Sequence, residues 1–147
     1  MQRIFGNMLF ACILMGSCAQ DNDNQNSNSN NTGNSQRRVF FEQPKDGATV
    51  SSPVAVKFGS TGLTVEPAGE AKPNAGHFHV LIDNARGYIP KNQVIPSDDA
   101  HVHFGDGGKQ FTLMLSPGKH TLTLQFGNGQ HQSGGKELSH TITITVK

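Results

Sequence analysis

The chain has 147 residues, 34% of them hydrophobic and 16% charged, with 17 Gly, 7 Pro, one Tyr and no Trp. Twelve basic against eleven acidic residues leave a formal charge of +1, which gives no electrostatic footprint for nucleic acid. The length admits one domain plus a tail and excludes a two-domain enzyme; a domain this small buries only roughly 60–70% of its unfolded surface, so one modest core with shallow sites is expected.

Met1 to Ile4 form a short basic start through Arg3, followed by the apolar run Ile4, Phe5, Met8, Leu9, Phe10, Ala11, Ile13, Leu14 and Met15. The run falls short of the ~20 residues that span a bilayer and ends in Gly16 and Ser17 before Cys18, the pattern of a secretory signal peptide over residues 1–17. Leu14-Met15-Gly16-Ser17-Cys18 resembles the lipobox of bacterial lipoproteins, with Met15 a less usual residue at its place. That resemblance implies that Cys18 carries fatty chains such as palmitate and becomes the mature N-terminus. The protein would then be held at the membrane of a bacterial cell envelope by burial of methylenes at ~0.8 kcal/mol each. Ala19, not Asp, follows Cys18, which by resemblance to enteric lipoproteins allows sorting to an outer membrane. With Cys12 removed and Cys18 acylated, the exported domain is expected to have no disulfide and a net charge of zero.

Cys18 and the stretch to Arg38 form the next segment. In residues 19–38, Asn, Ser, Gln and Asp supply 15 of 20 residues, and Val, Ile, Leu and Phe supply none. Nothing there can be buried to offset ordering entropy, so a disordered tether over 18–38 is expected.

From Val39 to Lys147 the punctuation is that of an all-β domain. Strands are predicted at Arg38–Gln43, Pro53–Gly59, His77–Asp83, His101–Phe104, Gln110–Leu115, Lys119–Phe126 and Glu137–Val146. Alternation is clearest at Val54/Val56/Phe58, Leu122/Leu124/Phe126 and Ile142/Ile144/Val146. Turn signals at Lys45-Asp46-Gly47, Gly105-Asp106-Gly107-Gly108, Ser116-Pro117-Gly118 and Gly127-Asn128-Gly129 separate the runs, the second reading as a hairpin. Seven short strands fit an immunoglobulin-like antiparallel β-sandwich better than a closed barrel.

All seven His follow residue 76, and four form two His-x-His pairs, His77/His79 and His101/His103. On a strand, residues i and i+2 share a face, so each pair presents two imidazoles while Phe78, Val80, Val102 and Phe104 point the other way, toward a core. Two such pairs on neighbouring strands could converge four nitrogens on one ion, and neutral imidazole suits copper or zinc. His77, His79, His101 and His103 are therefore the candidate metal ligands, with His120 and His131 as further candidates. The competing reading is a structural polar network of these His with Asp83 and Asp106. His120, at a strand start, is expected to bond back to a turn, and His140 to sit at the rim of the core.

Gly76-His77-Phe78-His79-Val80-Leu81-Ile82-Asp83, then His103-Phe104-Gly105-Asp106-Gly107, then Leu115-Ser116-Pro117-Gly118-Lys119-His120-Thr121-Leu122, resemble the signature blocks of an uncharacterised bacterial family, domain of unknown function 4399. The resemblance runs over about residues 39–147 and implies a secreted β-sandwich without naming an activity. The family motif reads Gly-His-His-His-Leu-Leu-Ile-Asp, so Phe78 stands at its middle His. Gly127-Asn128-Gly129 and Gly134-Gly135 replace its acidic, Pro-rich loop. The first block is also similar to the His-x-His strand of copper/zinc superoxide dismutases, but the domain has no Cys for their disulfide, and that reading fails.

Among other chemistries, the sequence has no Gly-x-Ser-x-Gly elbow and no Walker-type loop, so no enzymatic activity is expected. Two functions remain. One is a lipid-anchored envelope module binding copper or zinc through His, with no nucleic-acid partner. The other is a metal-free sandwich that binds another envelope protein, its His being structural.

Overall fold

A computed structural model describes residues 36–147. The expected signal peptide, Cys18 and the tether as far as residue 35 lie outside the described residues. Within them, the alternating runs form strands β1 (Arg38–Gln43), β2 (Thr49–Val50), β3 (Val54–Thr61), β4 (Thr64–Val65), β5 (Ala75–Ile82), β6 (His101–Phe104), β7 (Gln110–Leu113), β8 (Gly118–Gly127) and β9 (Ser139–Val146). The seven expected strands are all present; β2 and β4 are two-residue additions that pair in parallel with β9 and β5.

Two sheets face each other. One has the order β1-β3-β7; the other runs β2-β9-β8-β5-β4, with β6 also paired to β5. The longer ladders are antiparallel, and their registers place the apolar residues of neighbouring strands on one face: Phe78 opposite Phe126, Val80 opposite Leu124, Leu122 opposite Ile142. Phe58 of the smaller sheet meets this face. Its ring centroid lies 5.3 Å from Phe78 and 5.4 Å from Phe104, with Phe41 at 5.6 Å behind it. Burying such a ring stabilises a fold by about 1.5–3 kcal/mol, and this aromatic cluster fixes how the two sheets face each other.

Several details depart from the sequence reading. The Gly105–Gly108 turn is not a hairpin, because β6 belongs to the larger sheet and β7 to the smaller. The chain crosses between sheets there, with Phe104 stacked on Phe111 at 4.0 Å. β9 begins at Ser139, since Lys136–Leu138 form a 3-10 turn after Gly135. β3 begins at Val54, one residue after the expected Pro53, and is the central strand of its sheet.

Beside the core, His120 does bond back to a turn. Its Nδ1 lies 2.8 Å from the Asp83 carboxylate and its Nε2 2.9 Å from the Ser116 carbonyl. Asp83 also accepts from the Thr121 N–H at 2.7 Å. Both partners of the ring are acceptors, so the doubly protonated ring satisfies both, and the bond to Asp83 first, then that to Ser116, raises the His120 pKa above 6.5. A group raised on folding contributes stability that is complete below its unfolded pKa and fades as pH rises through the folded one. His120→Gln should therefore destabilise the protein by about 1 kcal/mol at pH 5.5, discounted because Asp83 is half exposed. The gap should narrow at pH 8.5; urea denaturation at the two pH values measures it.

Candidate metal centre

The strand register decides what the His-x-His pairs can do. His79 lies directly opposite His103 in the antiparallel β5/β6 pair, with Leu81 opposite His101. Since Phe78 and Val80 fill the core, His77 and His79 point to the outer face of the larger sheet, yet neither has any exposed surface.

Two connections roof that face. In one, between β5 and β6, Ile95 is buried; in the other, after β8, lies His131. The Ile95 N–H donates to the His131 carbonyl at 2.9 Å, Asn92 N–H to Ser133 at 2.9 Å, and Ser133 N–H to Gln93 at 2.8 Å, a short antiparallel ladder between the two. Buried Gln125 of β8, opposite His79, fastens both. Its Oε1 accepts from Ile89 N–H at 3.1 Å, and its Nε2 donates to the carbonyls of Gly135 at 2.9 Å and Leu138 at 3.1 Å. Asn128 shapes the second connection, its Oδ1 accepting from Gln130 and Gln132 N–H, while its carbonyl accepts from His131 N–H. His131 takes a left-handed φ of 64° in that turn, and its ring is directed back over β5.

The result is a compact group of imidazoles. His103 Nε2 lies 3.1 Å from His77 Nε2 and 3.1 Å from His131 Nε2, and the ligand atoms of all three fall within 4.8 Å of one another. His79 sits beside them, its ring centroid 4.9 Å from His77, 5.1 Å from His103 and 5.8 Å from His131. As a hydrogen-bonded set the three Nε2 atoms are poor, because the single lone pair or proton of His103 Nε2 can serve one neighbour well and not two. As a ligand set, the two 3.1 Å separations come close to what an ion needs, since donors at 2.0–2.1 Å from a tetrahedral ion lie about 3.3–3.5 Å apart.

Proton affinity follows the same geometry. Burial first, then the neighbouring His103 and His131, lower the His77 pKa to about 4. Burial first, then the neighbouring His77, His103 and His131, lower the His79 pKa to about 2. His103 is lowered by burial and His131, with Asp106 opposing. The buried rings are therefore neutral at pH 7, the form a metal binds. Among the described residues, His77 Nδ1 and both nitrogens of His79 have no hydrogen-bond partner.

The other candidates lie apart. His101 shares the outer face, but it is one pair further along β6, and its ring is engaged by Asp98 at 2.8 Å and Asn84 at 3.3 Å. His120 is held by Asp83 and Ser116, and His140 accepts from Phe41 N–H at 3.3 Å. Asp83 thus serves His120 and not the cluster, and Asp106 accepts from Gly108 N–H. Sequence reasoning missed the supporting residues Gln125, Asn128 and Gly105. A Cβ at Gly105 would run into the His103 ring, and one at Gly127 would lie 3.0 Å from His79 Nε2. Gly105, read as part of a turn, is the space in which His103 turns.

Residues 56–147 match the family model described as domain of unknown function (DUF4399). The chain belongs to the DUF4399 family. No curated protein and no solved structure matches it. The matched span contains all seven His, so the imidazole cluster lies wholly within the DUF4399 domain.

Two substitutions test this geometry. His79→Leu removes two buried nitrogens that lack partners, so the metal-free domain should gain about 1–3 kcal/mol at pH 7. It should also resist acid better. His79 has a depressed folded pKa, so its contribution is complete above pH 6.5 and is lost as pH falls, by about 1.4 kcal/mol per pH unit well below that value. Thermal melts at pH 7 and 4.5 check both; a large loss of stability at pH 7 would mean that the ring has a polar role in folding. Gly105→Ala should leave the fold within about 0.5 kcal/mol, because a surface side chain can yield, while the His103 ring is displaced, visible as altered imidazole NMR shifts for His77 and His131.

Proposed function

We propose that this DUF4399 domain is a non-catalytic metal-binding module that holds one copper or zinc ion on His77, His103 and His131, with His79 as a fourth donor beneath them. The observation that carries the reading is the convergence of three Nε2 atoms from β5, β6 and the connection after β8. Three imidazoles gathered within 4.8 Å repel one another whenever they protonate and satisfy one another poorly when they do not; an ion at their centre removes both costs. Support also comes from the nitrogens of His79, buried and without a partner among the described residues. The proposal includes location: the Leu14–Cys18 motif would place the module on a lipid anchor at the cell envelope, with residues 19–38 as its tether.

Isothermal titration of residues 36–147 with zinc and copper should give one ion per domain at micromolar affinity or tighter. His103→Ala and His131→Ala should each weaken it at least tenfold, and His101→Ala and His120→Ala should leave it unchanged. At 100 times Kd the ion adds about 2.7 kcal/mol of stability, raising Tm at pH 7.5. The gain should vanish by about pH 5, where protons compete for the ligands. Absence of binding at neutral pH would overturn the reading and leave the His cluster structural. Cys18→Ser should release the full-length protein from membranes; unchanged partitioning would overturn the anchor.

A further inference from the structure

Two independent constraints narrow which ion the cluster takes, given that it is a metal site as proposed above. The first is charge. Every donor is an imidazole, which ligates without a charge of its own, and among the described residues no carboxylate or thiolate belongs to the set. Asp106, whose charge reaches His103, accepts from the Gly108 N–H and is not a donor. The ring nitrogens turned away from the centre lack the usual compensation too. His77 and His79 each leave Nδ1 without a partner, where zinc-bound imidazoles almost always donate that N–H to a carboxylate or carbonyl. An ion bound here keeps its full charge beside two residues with no exposed surface. The cost of burying charge rises with its square, so a divalent ion is penalised about four times as heavily as a monovalent one.

The second constraint is shape. The rings of His77, His103 and His131 are inclined to one another by 71°, 73° and 62° and come from two strands and a turn. With His79 as the fourth ring, all six centroid separations fall between 4.7 and 5.8 Å. Near-equal separations mark the corners of a tetrahedron; a square would have two diagonals about 1.4 times its sides, so the set departs from the square plane that divalent copper prefers. Zinc meets the shape but not the charge, and divalent copper meets neither. A monovalent ion with a filled d shell meets both, since it has no planar preference and imidazole is an accepted copper ligand.

We propose that the site selects monovalent copper over divalent zinc and divalent copper. Silver(I), which has the same charge and filled shell and no accessible second oxidation state, is the probe that isolates the charge term. Competition against chromophoric chelators, with copper(I) kept under argon, should give copper(I) and silver(I) affinities at least 100-fold above that for zinc(II). His131→Glu replaces a neutral donor on an exposed connection with an anionic one, and it should cut the copper(I)-to-zinc(II) ratio at least tenfold. Zinc(II) or copper(II) binding as tightly as copper(I) overturns this inference and leaves the metal-site reading standing. An unchanged ratio in His131→Glu, with zinc still bound, overturns the charge argument on which it rests. Failure of all four ions to bind wild-type protein overturns both readings.

Discussion

Two uncharged imidazoles, His77 and His79, are buried on the outer face of a sheet whose inner face already supplies the hydrophobic core. A small sandwich normally leaves such an outer face to water. Here it is covered, and much of the rest of the fold serves that cover: the long connection between β5 and β6, the left-handed turn at His131, the ladder between the two, and Gln125 holding both from below. Gln125 uses its oxygen and both amide hydrogens, as a buried amide must if it is not to cost more than it contributes. His79, its cross-strand neighbour, has no partner at either nitrogen among the described residues. That contrast between adjacent buried polar residues separates the satisfied part of the outer face from the unsatisfied part.

The same arrangement sets how rigid each donor is. His77 and His79 are fixed by β5, paired on both sides. His103 lies on β6, a short outer strand, and turns into the space that Gly105 leaves. His131 rests on a turn held by Asn128 and by the ladder to Ile95. The deep rings are thus set by sheet geometry and the outer two by local hydrogen bonds, so the outer pair can shift at little cost to the core. Solvent reaches the cluster from that side, where His103 and His131 are half-buried.

How much of this was legible in the sequence depended on the range of the interaction. Period-two alternation located all seven main strands, because burial of one face is a local, repeating demand. It also placed Phe78 and Val80 opposite to His77 and His79. The two His-x-His pairs pointed to the right region, yet spacing alone could not say which member of the second pair comes opposite which member of the first. The register set His103 against His79 and left His101 one step further on, where Asp98, three residues earlier, was close enough to engage it. His131, a further candidate in the sequence, reaches the cluster only through the fold of a loop, and Gln125, which reads as an ordinary polar residue in a strand, had no local signature. The Gly105–Gly108 turn misled for a related reason: glycine and aspartate mark that the chain turns, but whether it stays in its sheet was decided by Phe104 and Phe111 stacking around the corner.

Phe78 connects the sequence motif to the geometry. It stands where the motif this chain resembles carries the middle of three consecutive His, and its ring lies in the core against Phe58 and Phe126 with no exposed surface. A side chain at that position points away from the cluster whatever its identity, because successive residues of β5 alternate faces. The middle position therefore contributes to packing between the sheets, and an aromatic hydrocarbon performs that task without a buried nitrogen needing a partner. His77 and His79 lie on the face where a polar ring gains nothing for the core, and there the chain retains imidazole at both places. Retaining two rings on the covered outer face, at the cost of unpartnered nitrogens, while the position between them carries phenylalanine, is the arrangement expected if the outer pair is kept for what it can bind and the inner position only for what it can pack.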